Sequence, residues 1–214
     1  MVERRKICVV TGTRAEYGQL TRILRLIADH AALELQLVAT GMHLAPEFGS
    51  TYRAIEQDGF RIDRKVEMLV ASDTPVGTAK STGLGMIGFA DVFAELCPDL
   101  VLVLGDRFEI MAAVTAAMFA RIPVAHISGG EVTEGAFDDS IRHAVTKMAA
   151  LHFPAAEIYR RRIIQLGEDP ATVFTVGDPA VDVMLSIPLL TVEELEKELG
   201  VSLRPRHLLI TFHP

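Results

Sequence analysis

Short apolar runs alternate with stretches of helical spacing from one end of the chain to the other. In residues 6–11 the side chains of Ile7, Cys8, Val9 and Val10 are apolar without a break, as in a strand buried on both faces. A polar, glycine-containing loop, residues 12–18, follows, and then Leu20, Ile23, Leu24 and Ile27 recur at the spacing of one helical face. This strand, loop and helix unit is repeated. Residues 33–40 predict a second strand, 51–57 a short helix closed by Gly59, and 60–66 a third strand.

Asp73-Thr74-Pro75 starts a helix that runs to Leu96, where Cys97-Pro98 stops it; Gly83, Gly85 and Gly88 weaken its interior. Residues 100–104 and 123–127 are strands separated by a helix built on Ile110, Ala113, Val114 and Ala117. A helix over 140–148, two further units within 150–176, and helices over 180–185 and 191–199 complete the pattern. Thr191 caps the last of these and Glu194 stands at the capping-box position. Residues 206–212 read as one more strand. Strands alternating with helices predict an α/β domain with a parallel sheet covered by helices on both faces.

Composition adds limits rather than detail. The chain has 214 residues, half of them apolar, enough for one large core. A net charge of −7 argues against nucleic-acid binding, which needs a basic face. Only Cys8 and Cys97 are present, without metal-type spacing, so a reducing, cytoplasmic setting is expected. No apolar run approaches the ~20 residues of a membrane span, and the histidines lack ligand spacing, so neither membrane, metal nor cofactor is expected.

In open parallel sheets ligands sit beyond the carboxyl ends of the strands, which selects four loops: residues 11–18, 41–43, 105–107 and 128–131. The first looks like a phosphate loop, although it is neither GxGxxG nor GxxxxGK[ST]. In it Arg14 would add a guanidinium fork to the positive end of a helix, suited to phosphate; a solvated surface arginine is the plainer alternative. Asp106 follows four apolar strand residues, where a carboxylate is costly unless paired or useful, and Arg107 beside it is a partner or a phosphate contact. Glu131 follows paired glycines that would let backbone approach a ligand. Asp138 and Asp139 lead into the 140–148 helix, as acid/base groups or as its cap. Asp106, Glu131 and Asp138 on neighbouring loops could hold different protonation states, as acid/base chemistry requires. His43 and His126 fall on the same rim, while His143 could equally be packing.

The strings TGTRAEYG, GMHL, VLVLGDRFE, HISGGEVTEGAFDDSIRHAVTKMA and LLITFHP, in this order, resemble the hydrolysing UDP-N-acetylglucosamine 2-epimerases of sialic acid synthesis. Non-hydrolysing epimerases carry an EAGLRT-like stretch where this chain has SGGEVTEG. The resemblance implies a three-layer Rossmann-like domain over residues 1–205, the N-terminal half of a GT-B-type two-domain fold. Residues 206–214 would begin a second, UDP-binding domain. It implies elimination of UDP across C1 and C2 of UDP-N-acetylglucosamine or a related UDP-amino sugar, then hydration to N-acetylmannosamine. Asp106, Glu131 and Asp138 would carry the carboxyl roles. Arg14, Arg107 and His213 would lie on the phosphate side, and His43 would face the sugar. Ser128 and Gly18 depart from the family pattern, and similar enzymes act on a UDP-linked diacetamido trideoxy sugar in legionaminic acid synthesis, so the sugar stays open. A homo-oligomer is expected, with the apolar stretch 78–96 as its contact.

Overall fold

A computed structural model describes residues 4–204 and 206–211. Six strands, β1 (Arg5–Thr11), β2 (Leu33–Thr40), β3 (Arg64–Val66), β4 (Leu100–Leu104), β5 (Val124–Ile127) and β6 (Leu151–Phe153), form one sheet in the order β3-β2-β1-β4-β5-β6. Every neighbouring pair is parallel. The unbroken apolar runs have the expected cause, since alternate residues are buried on opposite faces. Cys8, Val10, Val101, Val103 and Val124 pack in one core with Phe89 and Phe93 of α3 (Pro75–Leu96), Ile110 of α4 (Phe108–Phe119) and Val145 of α5 (Asp138–Met148). Ile7, Val9, Leu102, Leu104, Ala125 and Ile127 face the other core, with Leu20, Leu24 and Ile27 of α1 (Arg14–Asp29) and Ile55 of α2 (Tyr52–Gln57). Helices therefore lie on both faces of a doubly wound parallel sheet.

The long helix α3 is continuous despite its glycines. A Cβ on Gly85 would come within 2.7 Å of Met68 Cε, and one on Gly88 within 2.7 Å of Val66 Cγ1. These glycines let α3 lie close to the β3 edge, a packing gain set against their poor helix propensity. The helix ends as predicted, with Cys97 in the left-handed region at φ 45°.

Three expectations change. The third strand is shorter than 60–66: Asp63 accepts the Leu37 N–H with Oδ2 and donates its own N–H to the Leu37 carbonyl, both at 2.8 Å, and regular pairing starts only at Arg64. The 150–176 stretch holds one unit, β6 and α6 (Glu157–Gln165), followed by a single bridge between His152 and Val173. Over residues 206–211 no strand forms among the described residues, since a strand needs a hydrogen-bonded neighbour and none is found there; Phe212, the last residue of that expectation, lies outside them.

By contact density the chain divides into a unit up to Val183 and a second from Met184. The sheet belongs to the first. In the second, α8 (Val192–Leu199) carries the predicted capping box, with the Thr191 hydroxyl accepting from Glu194 N and the Glu194 carboxylate accepting from Thr191 N. α7 (Pro179–Ser186) precedes it. No helix among the described residues is long and apolar enough to cross a membrane.

Candidate active site

All six strands run the same way, so the loops after β1, β2, β4 and β5 gather on one edge. β1 pairs with β2 on one side and β4 on the other, and the connections leave it in opposite directions, which opens a crevice at this switch point.

The loop after β1 is occupied by the chain itself. Thr13 caps α1, and Glu16 of the first turn accepts the N–H groups of Gly12 (2.7 Å) and Thr13 (3.2 Å) with one carboxylate oxygen. Glu16 is buried, and burial raises its carboxyl to about 7, with Glu109 adding to the rise while the Gly12 N–H and Arg107 oppose it. The backbone donors that gave this segment the look of a phosphate loop are thus already taken by a carboxyl group of the chain. Arg14, the first residue of α1, is exposed and makes no hydrogen bond or ion pair among the described residues, so its donors face solvent.

His43, expected at the sugar, is held inside the chain. It closes the 3-10 turn Gly41–His43, is wholly buried, and has Nε2 3.1 Å from Thr11 Oγ1 and Nδ1 2.8 Å from Thr51 Oγ1. Burial lowers it to about 4, so the ring is neutral, and its two contacts tie β1 to the start of α2. His126 is likewise not on the rim. It lies within β5, where its side chain enters the core one residue before the strand ends. Its Nε2 is 2.8 Å from the Gly105 carbonyl, and a carbonyl can only accept, so that nitrogen carries the ring proton. Burial above all holds His126 down to about 4. It acts as a brace under the residue preceding Asp106.

Asp106 itself is paired with Arg142 of α5. The same Arg142 Nη2 lies 3.0 Å from Thr133 Oγ1, Nη1 is 3.8 Å from Asp139 Oδ1, and Nε and Nη1 are buried without a hydrogen-bond partner among the described residues. Burial raises the Asp106 carboxyl, Arg142 pulls it back, and the charge of Asp138 raises it again. Burial also raises Glu131, opposed by Arg142 and assisted by Asp178 and Asp106. Asp106, Glu131 and Asp138 therefore share one electrostatic neighbourhood with Arg142 at its centre.

Neither Asp138 nor Asp139 caps α5. Phe137 holds that position without a side-chain bond, and Asp139 instead accepts the Thr133 N–H at 2.9 Å. The glycines before Glu131 also have another purpose. A Cβ on Gly130 would lie 2.5 Å from the Tyr159 carbonyl and one on Gly129 3.0 Å from His126 Nδ1, so they bring the loop against α6 and His126.

Arg107 precedes α4 and is gripped by Glu109, Nε to Oε2 at 3.2 Å and Nη2 to Oε1 at 3.0 Å. His213 lies outside the described residues. Glu16, Glu109, Arg142 and Asp178 were missed by sequence reasoning. Each stands in or beside a helical first turn or face where a charged residue is ordinarily solvated, and only the buried environment of Glu16 and Glu109 and the central place of Arg142 single them out. An apolar hollow of about 390 Å³ under α1, lined by Ile7, Ile27, Leu100, Leu102 and Phe153 among others, contains none of the candidate residues.

Sheet order and rim together define a Rossmann-like α/β protein with a carboxylate and guanidinium site at the switch-point edge. Residues 25–214 match the UDP-N-acetylglucosamine 2-epimerase family, and the chain belongs to it. It is 43% identical over 213 residues to the GDP/UDP-N,N′-diacetylbacillosamine 2-epimerase (hydrolyzing) of Campylobacter jejuni, covering 100% of this chain and 55% of that protein. With the UDP-N,N′-diacetylbacillosamine 2-epimerase (hydrolyzing) of Legionella pneumophila it shares 37% identity over 210 residues, 98% of this chain and 55% of the other. The crystal structure of the Neisseria meningitidis UDP-GlcNAc 2-epimerase bound to UDP-GlcNAc superposes with a TM-score of 0.75 at 20% identity, over 92% of this chain and 52% of that one. The chain thus spans about half the length of the relatives it matches.

Proposed function

We propose that this chain is the N-terminal, carboxylate-bearing part of a hydrolysing UDP-sugar 2-epimerase acting in the cytoplasm on a UDP-linked acetamido sugar. The observation that carries the reading is the carboxyl cluster at the sheet edge: Asp106 paired with Arg142, Glu131 under the influence of both, and Asp138 acting on Asp106, with Asp106 and Glu131 raised by burial. A carboxylate accepts the C2 proton as the C1–O bond to UDP breaks, leaving a C1–C2 double bond. Water then adds its hydroxyl to C1 and a proton returns to C2 on the opposite face, which releases the 2-epimeric free sugar and UDP. Carboxyls raised by burial are suited to proton transfer in both steps.

Departure of the diphosphate develops negative charge, for which Arg14 and Arg107 supply guanidinium donors on the same rim. His213 belongs to this set by resemblance. The uridine is assigned to a second domain beginning at residues 206–214, so catalysis occurs in a cleft between two domains. Of the two sugars compatible with the motifs, UDP-N-acetylglucosamine and UDP-N,N′-diacetylbacillosamine, the names of the relatives at 43% and 37% identity favour the second.

The test is product analysis of the full-length protein with each nucleotide sugar. Release of UDP together with the free 2-epimeric sugar is expected, and Glu131→Gln should lower kcat by about a hundredfold or more. UDP formed without free epimer, sugar passed to an acceptor, or an unchanged rate in Glu131→Gln would each refute the reading.

A further inference from the structure

We infer that Glu109 is a positioning residue that fixes the Arg107 guanidinium at the carboxyl end of β4 for contact with a nucleotide-sugar diphosphate, an inference that rests on the function proposed above.

Glu109 stands in the first turn of α4, where an acidic side chain commonly points to water, yet it is wholly buried. Its two oxygens take Nε and Nη2 of Arg107, a side-on, two-point contact that sets both the direction and the roll of the guanidinium plane. The Arg107 side chain remains 31% exposed, and its hydrogen bonds among the described residues use Nε and Nη2, the latter also 3.8 Å from Met42 Sδ. The grip therefore orients the arginine without consuming all of its donors.

Two other strand-end loops are shaped around this carboxylate. A Cβ on Gly41, at φ +56°, would lie 2.8 Å from both Cγ and Oε1 of Glu109, and one on Gly12 would lie 3.3 Å from Glu109 Cβ. So the loops after β1 and β2 both leave space for a residue of α4, a convergence that a solvated helix-start glutamate would not need. Glu16 makes the placement of Arg107 matter more. By holding the N–H groups of Gly12 and Thr13, it withdraws the backbone donors of the first loop from a ligand. Anion recognition on this rim then falls to guanidinium side chains, and a flexible arginine serves that role only if something holds it in place.

A double-mutant cycle in the full-length protein separates positioning from mere structural support. UDP and UDP-sugar affinities are measured by calorimetry for the unmodified protein, Glu109→Gln, Arg107→Ala and the double variant, with thermal melts alongside. Glu109→Gln should weaken binding roughly tenfold, the scale of one charge-assisted hydrogen bond, and have no further effect once Arg107 is removed. Unchanged affinity in Glu109→Gln, or the same loss with and without Arg107, would overturn the inference while leaving the proposed function standing. Failure of the unmodified protein to bind any UDP-sugar would overturn both. Should the Gln variant not fold, Glu109→Asp, which keeps the charge but withdraws it by one methylene, completes the same cycle.

Discussion

Arg142 places one guanidinium among Asp106, Asp139 and Thr133 while its side chain is only 8% exposed, and Asp106 depends on it for a counter-charge. Replacing it by Met leaves a partly buried carboxylate unpaired, a change that costs about 3 kcal/mol and should appear as a clear drop in thermal midpoint. Arg142 is also the foremost influence holding Asp106 and Glu131 down against burial, so in its absence both carboxyls rise further. The pH-rate profile of an Arg142→Met full-length protein should move to higher pH; an unmoved profile would detach Arg142 from the reacting carboxyls.

The two buried histidines give stability a pH dependence of known sign. His43 and His126 titrate near 4 in the folded chain against an ordinary 6.5, so the unfolded chain takes up protons first on acidification. The stability tied to them is complete above about 6.5 and drains away as pH falls toward about 4. Glu16, raised to about 7 from 4.5, works in the opposite sense across an overlapping window. Melting curves from pH 7.5 to 4.5 should show His126→Gln losing less midpoint on acidification than the unmodified chain. Parallel curves would mean that His126 is not held neutral.

At the level of elements, the join between β5 and α5 depends on the approach of its glycines to their neighbours. Gly130 has φ +79° and its Cβ position is taken by the Tyr159 carbonyl, to which backbone cannot yield as a side chain can. Gly130→Ala should destabilise the first unit by about 2–4 kcal/mol from strain and overlap together, measured by denaturant unfolding, whereas Gly18→Ala, inside α1 with open space around it, should stabilise by about 0.5–1 kcal/mol. The sheet strands were legible as uninterrupted apolar runs because both faces are covered. β3 was overestimated since Asp63 substitutes a side-chain acceptor for part of the ladder, which an apolar pattern does not register. The capping boxes at Thr13 and Thr191 show how far local spacing reaches: the one at Thr191 was read directly, while the one at Thr13 was masked by the phosphate-loop look of the same residues.

For the molecule as a whole, the loops bearing Asp106, Arg107 and Glu131 were readable from the rule that strand ends carry ligands. The same rule did not register that His43 and His126 are buried: His126 sits one step inside the end of β5, and His43 is turned inward by the 3-10 turn that follows β2. Glu109 and Arg142 became visible only when helices distant in sequence were brought to one edge, as with the 36 residues separating Asp106 from Arg142. If the uridine site belongs to a second domain, the isolated 214-residue chain should bind UDP-sugar weakly and turn none over; measurable epimer release by this chain alone would return the uridine site to the residues described above.

The carboxylate of Glu16 on the Gly12 and Thr13 amides bears on selectivity in a crowded metabolite pool. Inorganic phosphate and sulfate compete for bare backbone nests, and here the chain presents them with one that is already filled. Small oxyanions should therefore find no binding at these two amides, and Glu16→Ala, by emptying the nest, should add a sulfate-binding site that the unmodified protein lacks, read by calorimetry.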